Sequence, residues 1–209
     1  MKQLKTPFVF STIRLEQSVD KQLYSSVSID DTGEMYRMVQ YLHDMGHEKI
    51  AFVAALEDDM AIGRMRLEGY KRALGDLGIP YRAELVLHPE KGEIPYTMES
   101  GYQIGKRFLD SGKEATVFLV ISDNMAFGVC RALADAGKRV PEDYSVAVFD
   151  GIEMGRYYCP SLTTMKQPLA EMARESVQLL FDLIGGQSGN QHRTFKAELI
   201  EGQSVKRIG

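Results

Sequence analysis

Short apolar runs alternate with amphipathic stretches along most of this chain. The runs are Ile50 to Ala54 (IAFVA), Leu85 to Leu87, Val117 to Ile121 (VFLVI) and Ser145 to Phe149 (SVAVF). Brief, nearly continuous apolar segments with β-branched content fit strands buried on both faces of a sheet. Between them Leu67, Tyr70, Leu74 and Leu77 recur at helical spacing, as do Met125, Val129 and Leu133. Met98, Tyr102, Phe108 and Leu109 repeat less regularly. An earlier helix puts Met35, Val39, Leu42 and Met45 on one face, behind Asp30 or Asp31 as N-cap. Gly46, Gly78, Gly112 and Gly137 follow these four stretches, where a left-handed C-cap favours a residue without Cβ.

Helix and strand therefore alternate four times across Thr32 to Phe149, predicting a complete doubly wound parallel α/β unit with right-handed crossovers. Outside it, Pro7 to Ser11 and Ser26 to Ile29 read as two short strands with no helix between them. Pro168 to Ile184 reads as a lone helix, followed by a strand-like stretch near Phe195 to Ile200. The expected organisation is part of one subdomain over residues 1–31, a complete one over 32–160, and a segment over 161–209 that returns to the first. The first subdomain is thus present only as remnants, without its opening elements.

At 209 residues with 44% hydrophobic and 26% charged content, the chain can bury a core without disulfide or metal staples. A net charge of −4 and the absence of any Lys/Arg run exclude a DNA-gripping surface of its own. Cys130 and Cys159 have no spacing that suggests a disulfide framework, which fits a reducing cytoplasm. The apolar run Pro7 to Phe10 is too short for a signal-peptide core or a membrane span. Catalytic motifs are missing too: there is no G-x-S-x-G elbow, Walker loop or G-x-G-x-x-G turn. His43 and His47 share an i, i+4 spacing, but HDMGH lacks the zincin glutamate and is interrupted by Gly46, so no metal and no cofactor is expected.

Ligands of open α/β sheets sit outside the carboxyl ends of the strands. There the sequence places Arg64 and Arg66 in the stretch after Ala54, the segment His88 to Tyr96 after Leu87, Ser122 and Asp123 after Ile121, and Asp150 after Phe149. A guanidinium and a carboxylate hold neighbouring hydroxyls by directional, charge-assisted bonds, and a ring such as Tyr96 can cover the apolar face of a pyranose. A small polyhydroxyl ligand suits this set. Each residue also has an ordinary reading: Asp123 as a helix cap, Arg66 paired with a surface acid, Tyr96 as packing.

Five blocks then carry a resemblance in order and spacing. YLHDMGHEKIAFV (Tyr41 to Val53), RLEGYKRAL (Arg66 to Leu74), ISDNMAFGV (Ile121 to Val129), VPEDYSVAVFD (Val140 to Asp150) and PSLTTMKQP (Pro160 to Pro168) resemble the lactose-repressor (LacI/GalR) family. The resemblance runs from about Pro7 almost to the C-terminus. It implies a periplasmic-binding-protein-like sensor of two α/β subdomains that closes around a small-molecule effector, a sugar or sugar derivative. Such a sensor is normally a dimer and reaches DNA through an upstream helix-turn-helix that these 209 residues do not contain.

Carried over position by position, the resemblance makes Arg66 the arginine that grips effector hydroxyls and Asp150 the aspartate that shares them. Tyr96 is similar in place to a stacking aromatic, and Thr12 to a polar contact from the other subdomain. Ser122 stands where relatives often have Asn, Gly151 where a second acid is frequent, and Gly202 where arginine is common. The candidate ligand contacts are therefore Arg66, Asp150, Ser122, Asp123, Tyr96 and Thr12. The expected function is effector sensing for a LacI-type transcriptional repressor, without enzymatic activity. The alternative is an interaction module of the same fold that binds no small molecule and associates through an apolar strand edge, Phe8 and Phe10 on one face and Val9 on the other.

Overall fold

Two sheets share the chain in the computed structural model, which describes residues 6–12, 19–56, 62–186 and 189–209. In chain order the elements are β1 (Val9–Ser11), β2 (Ser25–Ile29), α1 (Asp31–Asp44), β3 (Ile50–Val53), α2 (Ile62–Asp76), β4 (Val86–Leu87), α3 (Met98–Asp110) and β5 (Val117–Val120). There follow α4 (Asp123–Asp135), β6 (Ser145–Asp150), α5 (Glu153–Tyr157), β7 (Thr163–Lys166), α6 (Leu169–Ile184), β8 (His192–Phe195) and β9 (Glu198–Ile200). The large sheet runs β4-β3-β5-β6-β7-β9 and is parallel except for β9, which pairs antiparallel with β7. The small sheet runs β1-β2-β8, all parallel.

The apolar runs occupy the middle of the large sheet, and their alternation splits the core in two. Ile50, Phe52, Val117, Leu119, Ala147 and Phe149 face a cluster with Met35, Val39, Tyr70 and Leu74 of α1 and α2. Ala51, Val53, Phe118, Val120, Val146 and Val148 face the opposite cluster, with Ile104, Phe108, Val129 and Leu133 of α3 and α4. Each strand thus buries both faces, as its continuous hydrophobicity requires. The four glycines expected behind the helices have positive φ, from 67° at Gly112 to 93° at Gly46, the conformation a left-handed cap needs.

Pairs of helices on each face come unusually close because glycine lines the contact. A Cβ on Gly128 in α4 would lie 1.9 Å from the Met98 carbonyl oxygen, and one on Gly101 in α3 would lie 2.0 Å from that of Met125. Those positions admit no side chain unless α3 and α4 separate.

The tail of the chain differs from the expectation. The doubly wound unit does not end at Phe149, because β7 and β9 extend its sheet, and α5 adds a short helix between. The segment 161–209 therefore divides: β7 and β9 join the large sheet, while β8 joins the small one and α6 packs on β1 and β2. The single strand-like stretch near Phe195 to Ile200 is two strands in two different sheets. Hydrophobic pattern could not reveal β7, whose sequence is TTMK, because its burial comes from neighbouring strands rather than its own apolar content. The two sheets are nonetheless tied by one core, since Val27 and Ile29 of β2 and Met172 and Leu179 of α6 belong to the same cluster as Phe52 and Phe149.

Candidate functional site

The chain leaves β3 through α2 to β4 on one side, then returns through α3 to β5 on the other side of β3. This reversal opens a crevice at the carboxyl ends of β3 and β5. Arg66, on the first turns of α2, reaches into it and is 3% exposed. Its Nε donates to Asp31 Oδ1 at 2.8 Å, its Nη1 to the Ile121 carbonyl at 2.6 Å and its Nη2 to Asp150 Oδ1 at 3.1 Å. The guanidinium carbon lies 3.7 Å from the centroid of the Phe149 ring. One side chain thereby joins the start of α1, the end of β5 and the end of β6, and its plane is fixed by three bonds and a stacked ring.

Asp150 is the least buried member, its side chain 28% exposed. Both its donors fall on Oδ1, the second being Gln167 Nε2 at 2.6 Å. Its φ of 101° is strained for a residue with a side chain. The next residue, Gly151, has φ 72°, and a Cβ there would meet the Lys166 backbone at 2.7 Å, so the acid expected from relatives has no room. Gly202 is similarly closed in, since its Cβ would lie 2.4 Å from the Ser161 carbonyl oxygen.

Asp123 does not cap its own helix. Its Oδ2 accepts from the Ile152 amide at 3.1 Å, clamping the loop that follows Asp150, while Oδ1 is buried without a partner. Burial, with the Asp150 charge adding to it, pushes the Asp123 carboxyl up to about 7 against the hydrogen bond from Ile152. Ser122 is buried at the N-terminus of α4 and its Oγ also lacks a partner. Asp31, considered from sequence only as a cap, is instead the buried partner of Arg66. Burial raises its carboxyl above the usual range and the Arg66 charge opposes that shift. Its Oδ2 is a further buried oxygen without a partner. Unmet acceptors of this kind cost about 1–3 kcal/mol each and commonly mark a place where a ligand or water donates.

Tyr96 lies on the turn before α3, half-buried against the α3–α4 core cluster. Thr12 ends β1, exposed, with its hydroxyl donating to Ser11 O at 2.6 Å and its amide to Val27 O at 2.9 Å. Thr12, Tyr96 and Asp150 are the non-glycine residues with positive φ among those described, and all three stand among the six sequence candidates. The structure thus brings Arg66, Asp150, Ser122 and Asp123 together, with Asp31 and Gln167 as members the sequence did not single out. Arg64 instead makes a surface ion pair with Glu68 at 3.8 Å. A separate groove of about 940 Å³ beyond β4, lined by Leu87, His88, Arg107 and Phe108, contains none of the six candidates. His47 is structural: it is fully buried and bridges Thr116 Oγ1 at 2.8 Å and the Lys206 carbonyl at 3.1 Å.

Comparison with known proteins matches residues 39–205 to the periplasmic binding protein-like domain, well over half of the chain. A LacI family transcriptional regulator from Enterococcus faecium with bound ribose superposes with a TM-score of 0.83 at 30% identity, covering 97% of this chain and 72% of that one. The chain belongs to the LacI family. Its sequence relatives within the LacI family include the HTH-type transcriptional regulator MalR of Clostridium butyricum, 36% identical over 205 residues, which are 98% of this chain and 59% of MalR. The repressor CytR of Escherichia coli K12 is 34% identical over 176 residues, 84% of this chain and 50% of CytR. A complex of the regulator CelR with cellobiose gives a TM-score of 0.84 at 30% identity, covering 95% of this chain and 58% of that one. The chain thus spans between half and three fifths of the sequence relatives named. Among the described residues no helix is long and apolar enough to cross a membrane, and no cluster of His, Cys, Asp and Glu could hold a metal ion.

Proposed function

We propose that this chain senses a sugar-like effector for a LacI-type transcriptional repressor, with the ligand held at the Arg66–Asp150 pair. The observation that carries this reading is the convergence at the sheet's reversal point: a guanidinium fixed by Asp31, Ile121 O and Asp150, beside buried oxygens of Asp31 and Ser122 that have no protein partner. Hydroxyls of a sugar can donate to Asp150, whose side chain is 28% exposed, which is binding chemistry rather than catalysis. Ribose and cellobiose in related structures support a sugar as ligand class. Asp123 serves the site by holding the loop that presents Asp150. Thr12 at the end of β1 and Tyr96 before α3 are the further polar and stacking contacts of this reading. DNA binding, dimer assembly and a cytoplasmic location belong to the same proposal for the longer regulator.

Calorimetric titration of the chain with ribose, maltose and cellobiose tests it. One of these sugars should bind and raise Tm, and Asp150→Asn should weaken that binding by roughly tenfold to a hundredfold, the worth of a hydrogen bond to a charged group. Recovery of a chemically altered sugar, or unchanged affinity in the variant, would overturn the reading.

A second reading, an interaction module, is favoured by α6. Val177, Phe181 and Ile184 form an i, i+4, i+7 stripe between 53% and 64% exposed, on a helix packed against β1, whose outer edge pairs with no strand among the described residues.

A further inference from the structure

The chain crosses between the two sheets three times among the described elements: from β2 into α1, from β7 into α6 and from β8 into β9. Asp31 opens α1 directly behind the first crossing, Gln167 lies between β7 and α6 in the second, and Ala197 lies between β8 and β9 in the third.

One run of hydrogen bonds through the candidate site joins these crossings. Arg66 Nε donates to Asp31 Oδ1 at 2.8 Å and Arg66 Nη2 to Asp150 Oδ1 at 3.1 Å, and the same Asp150 oxygen accepts from Gln167 Nε2 at 2.6 Å. The Gln167 amide also donates to the Asp150 carbonyl at 3.0 Å, so the second crossing holds Asp150 by both side chain and backbone. On the other side of Asp31 the run continues along the first turn of α1. The Glu34 amide donates to the Asp30 carbonyl at 2.8 Å, Glu34 Oε1 accepts from the Ala197 amide at 3.1 Å, and Arg37 Nη1 donates to the Ala197 carbonyl at 3.2 Å.

Asp31, Glu34 and Arg66 are buried, whereas the Asp150 side chain is part-exposed, so a ligand that touches this run touches it at Asp150. Backbone at a φ of 101° persists only where its surroundings fix it, and the bonds from Arg66 and Gln167 supply that hold. Charge-assisted bonds withdrawn from water polarise one another, which makes a change at one member felt by the next.

We propose that Asp31 and Gln167 are positioning residues that carry the state of Asp150 to the sheet crossings, so that a sugar held at Asp150 tightens the small sheet against the large one. Transmission from a ligand rests on the sensor reading; the bridge between crossings stands on the hydrogen bonds alone.

Amide hydrogen exchange, read by NMR on the intact 209-residue chain, tests both. Gln167→Leu removes a donor at the second crossing. It should speed exchange of the Glu34 and Ala197 amides, at the other two crossings, by about fivefold or more, the lower end of coupling between linked sites. Asp31→Asn should speed the Gln167 amide by a similar factor, because coupling is reciprocal. The Val146 amide, bonded to the Ser204 carbonyl at the opposite end of β6 from Asp150, reports global opening and should not share the change. Whichever of ribose, maltose and cellobiose binds should slow the Gln167, Glu34 and Ala197 amides of the parent by about fivefold or more, and should slow Glu34 and Ala197 less in Gln167→Leu. Changes confined to the neighbours of each substitution, or shared equally by Val146, overturn the bridge, and Gln167→Leu decides alone if Asp31→Asn does not fold. A bound sugar that leaves all three amides unmoved overturns the transmission and leaves the sensor reading standing. If no sugar binds, the sensor reading falls and the substitutions still decide the bridge.

Discussion

At the scale of single residues, the site is governed by how burial treats charge. Asp123 and His47 are both pressed toward their neutral forms by the interior, the acid upward to about 7 and the imidazole below its ordinary value of 6.5. Their effects on stability run in opposite directions. For Asp123 the folded value lies above the unfolded one, so its contribution is fully present below pH 3.8 and lost as pH rises through about 7. For His47 the folded value lies below, so stability is full above pH 6.5 and lost as pH falls past it. Asp123→Asn should therefore raise Tm relative to the parent at about pH 8, and the advantage should shrink below pH 7 and vanish near pH 4. Thermal melts across that range check it, and an advantage that stays constant with pH would contradict the assignment. The sequence offered Asp123 as a ligand contact or an ordinary helix cap, and nothing in its local context disclosed that its partner would be the Ile152 amide on another loop.

At the scale of elements, the four central helices were legible because each carries both a periodic apolar face and a glycine stop. Their mutual fit was not. Gly128 and Gly75 look equivalent in sequence, both being glycines inside helices, yet a Cβ at Gly128 strikes the α3 backbone while one at Gly75 meets nothing within 4 Å. Gly128→Ala should destabilise the fold by about 2 kcal/mol, lowering Tm by roughly 4 to 8 °C for a chain of this size. Gly75→Ala should do the reverse, stabilising by about 0.5–1 kcal/mol because alanine has the higher helix propensity. Denaturant unfolding of both variants separates crowding from propensity in one comparison. β7 marks the limit of pattern reading at this scale: Thr163 and Thr164 are buried between β6 and β9 by pairing, not by hydrophobicity.

At the scale of the whole molecule, the small sheet buries its central strand and leaves an edge open among the described residues. Among the described residues β1 pairs with β2 on one side and with no strand on the other, and the α6 stripe of Val177, Phe181 and Ile184 lies in solvent nearby. An unpaired parallel edge beside an apolar helix face favours association. The isolated chain should sediment as a dimer or larger species at high concentration, and Phe181→Glu should shift it toward monomer. A clean monomer across the accessible range, or no response to the variant, would remove this surface from the assembly.

The sequence by itself determined the α/β class and the order of helix and strand through residues 32–150, because helix periodicity, strand hydrophobicity and glycine stops are local properties of the chain. It also placed Arg66 and Asp150 at a common rim, since strand order confines both to the same end of the sheet. Only the tertiary structure decided that Asp31 would be the third partner of that pair, that Gln167 would share Asp150 Oδ1, and that β7 and β9 would close the large sheet while β8 went to the small one. Those outcomes depend on pairings between segments up to most of the chain apart, and a hydrogen bond or strand register at that distance leaves no periodic trace in either segment alone.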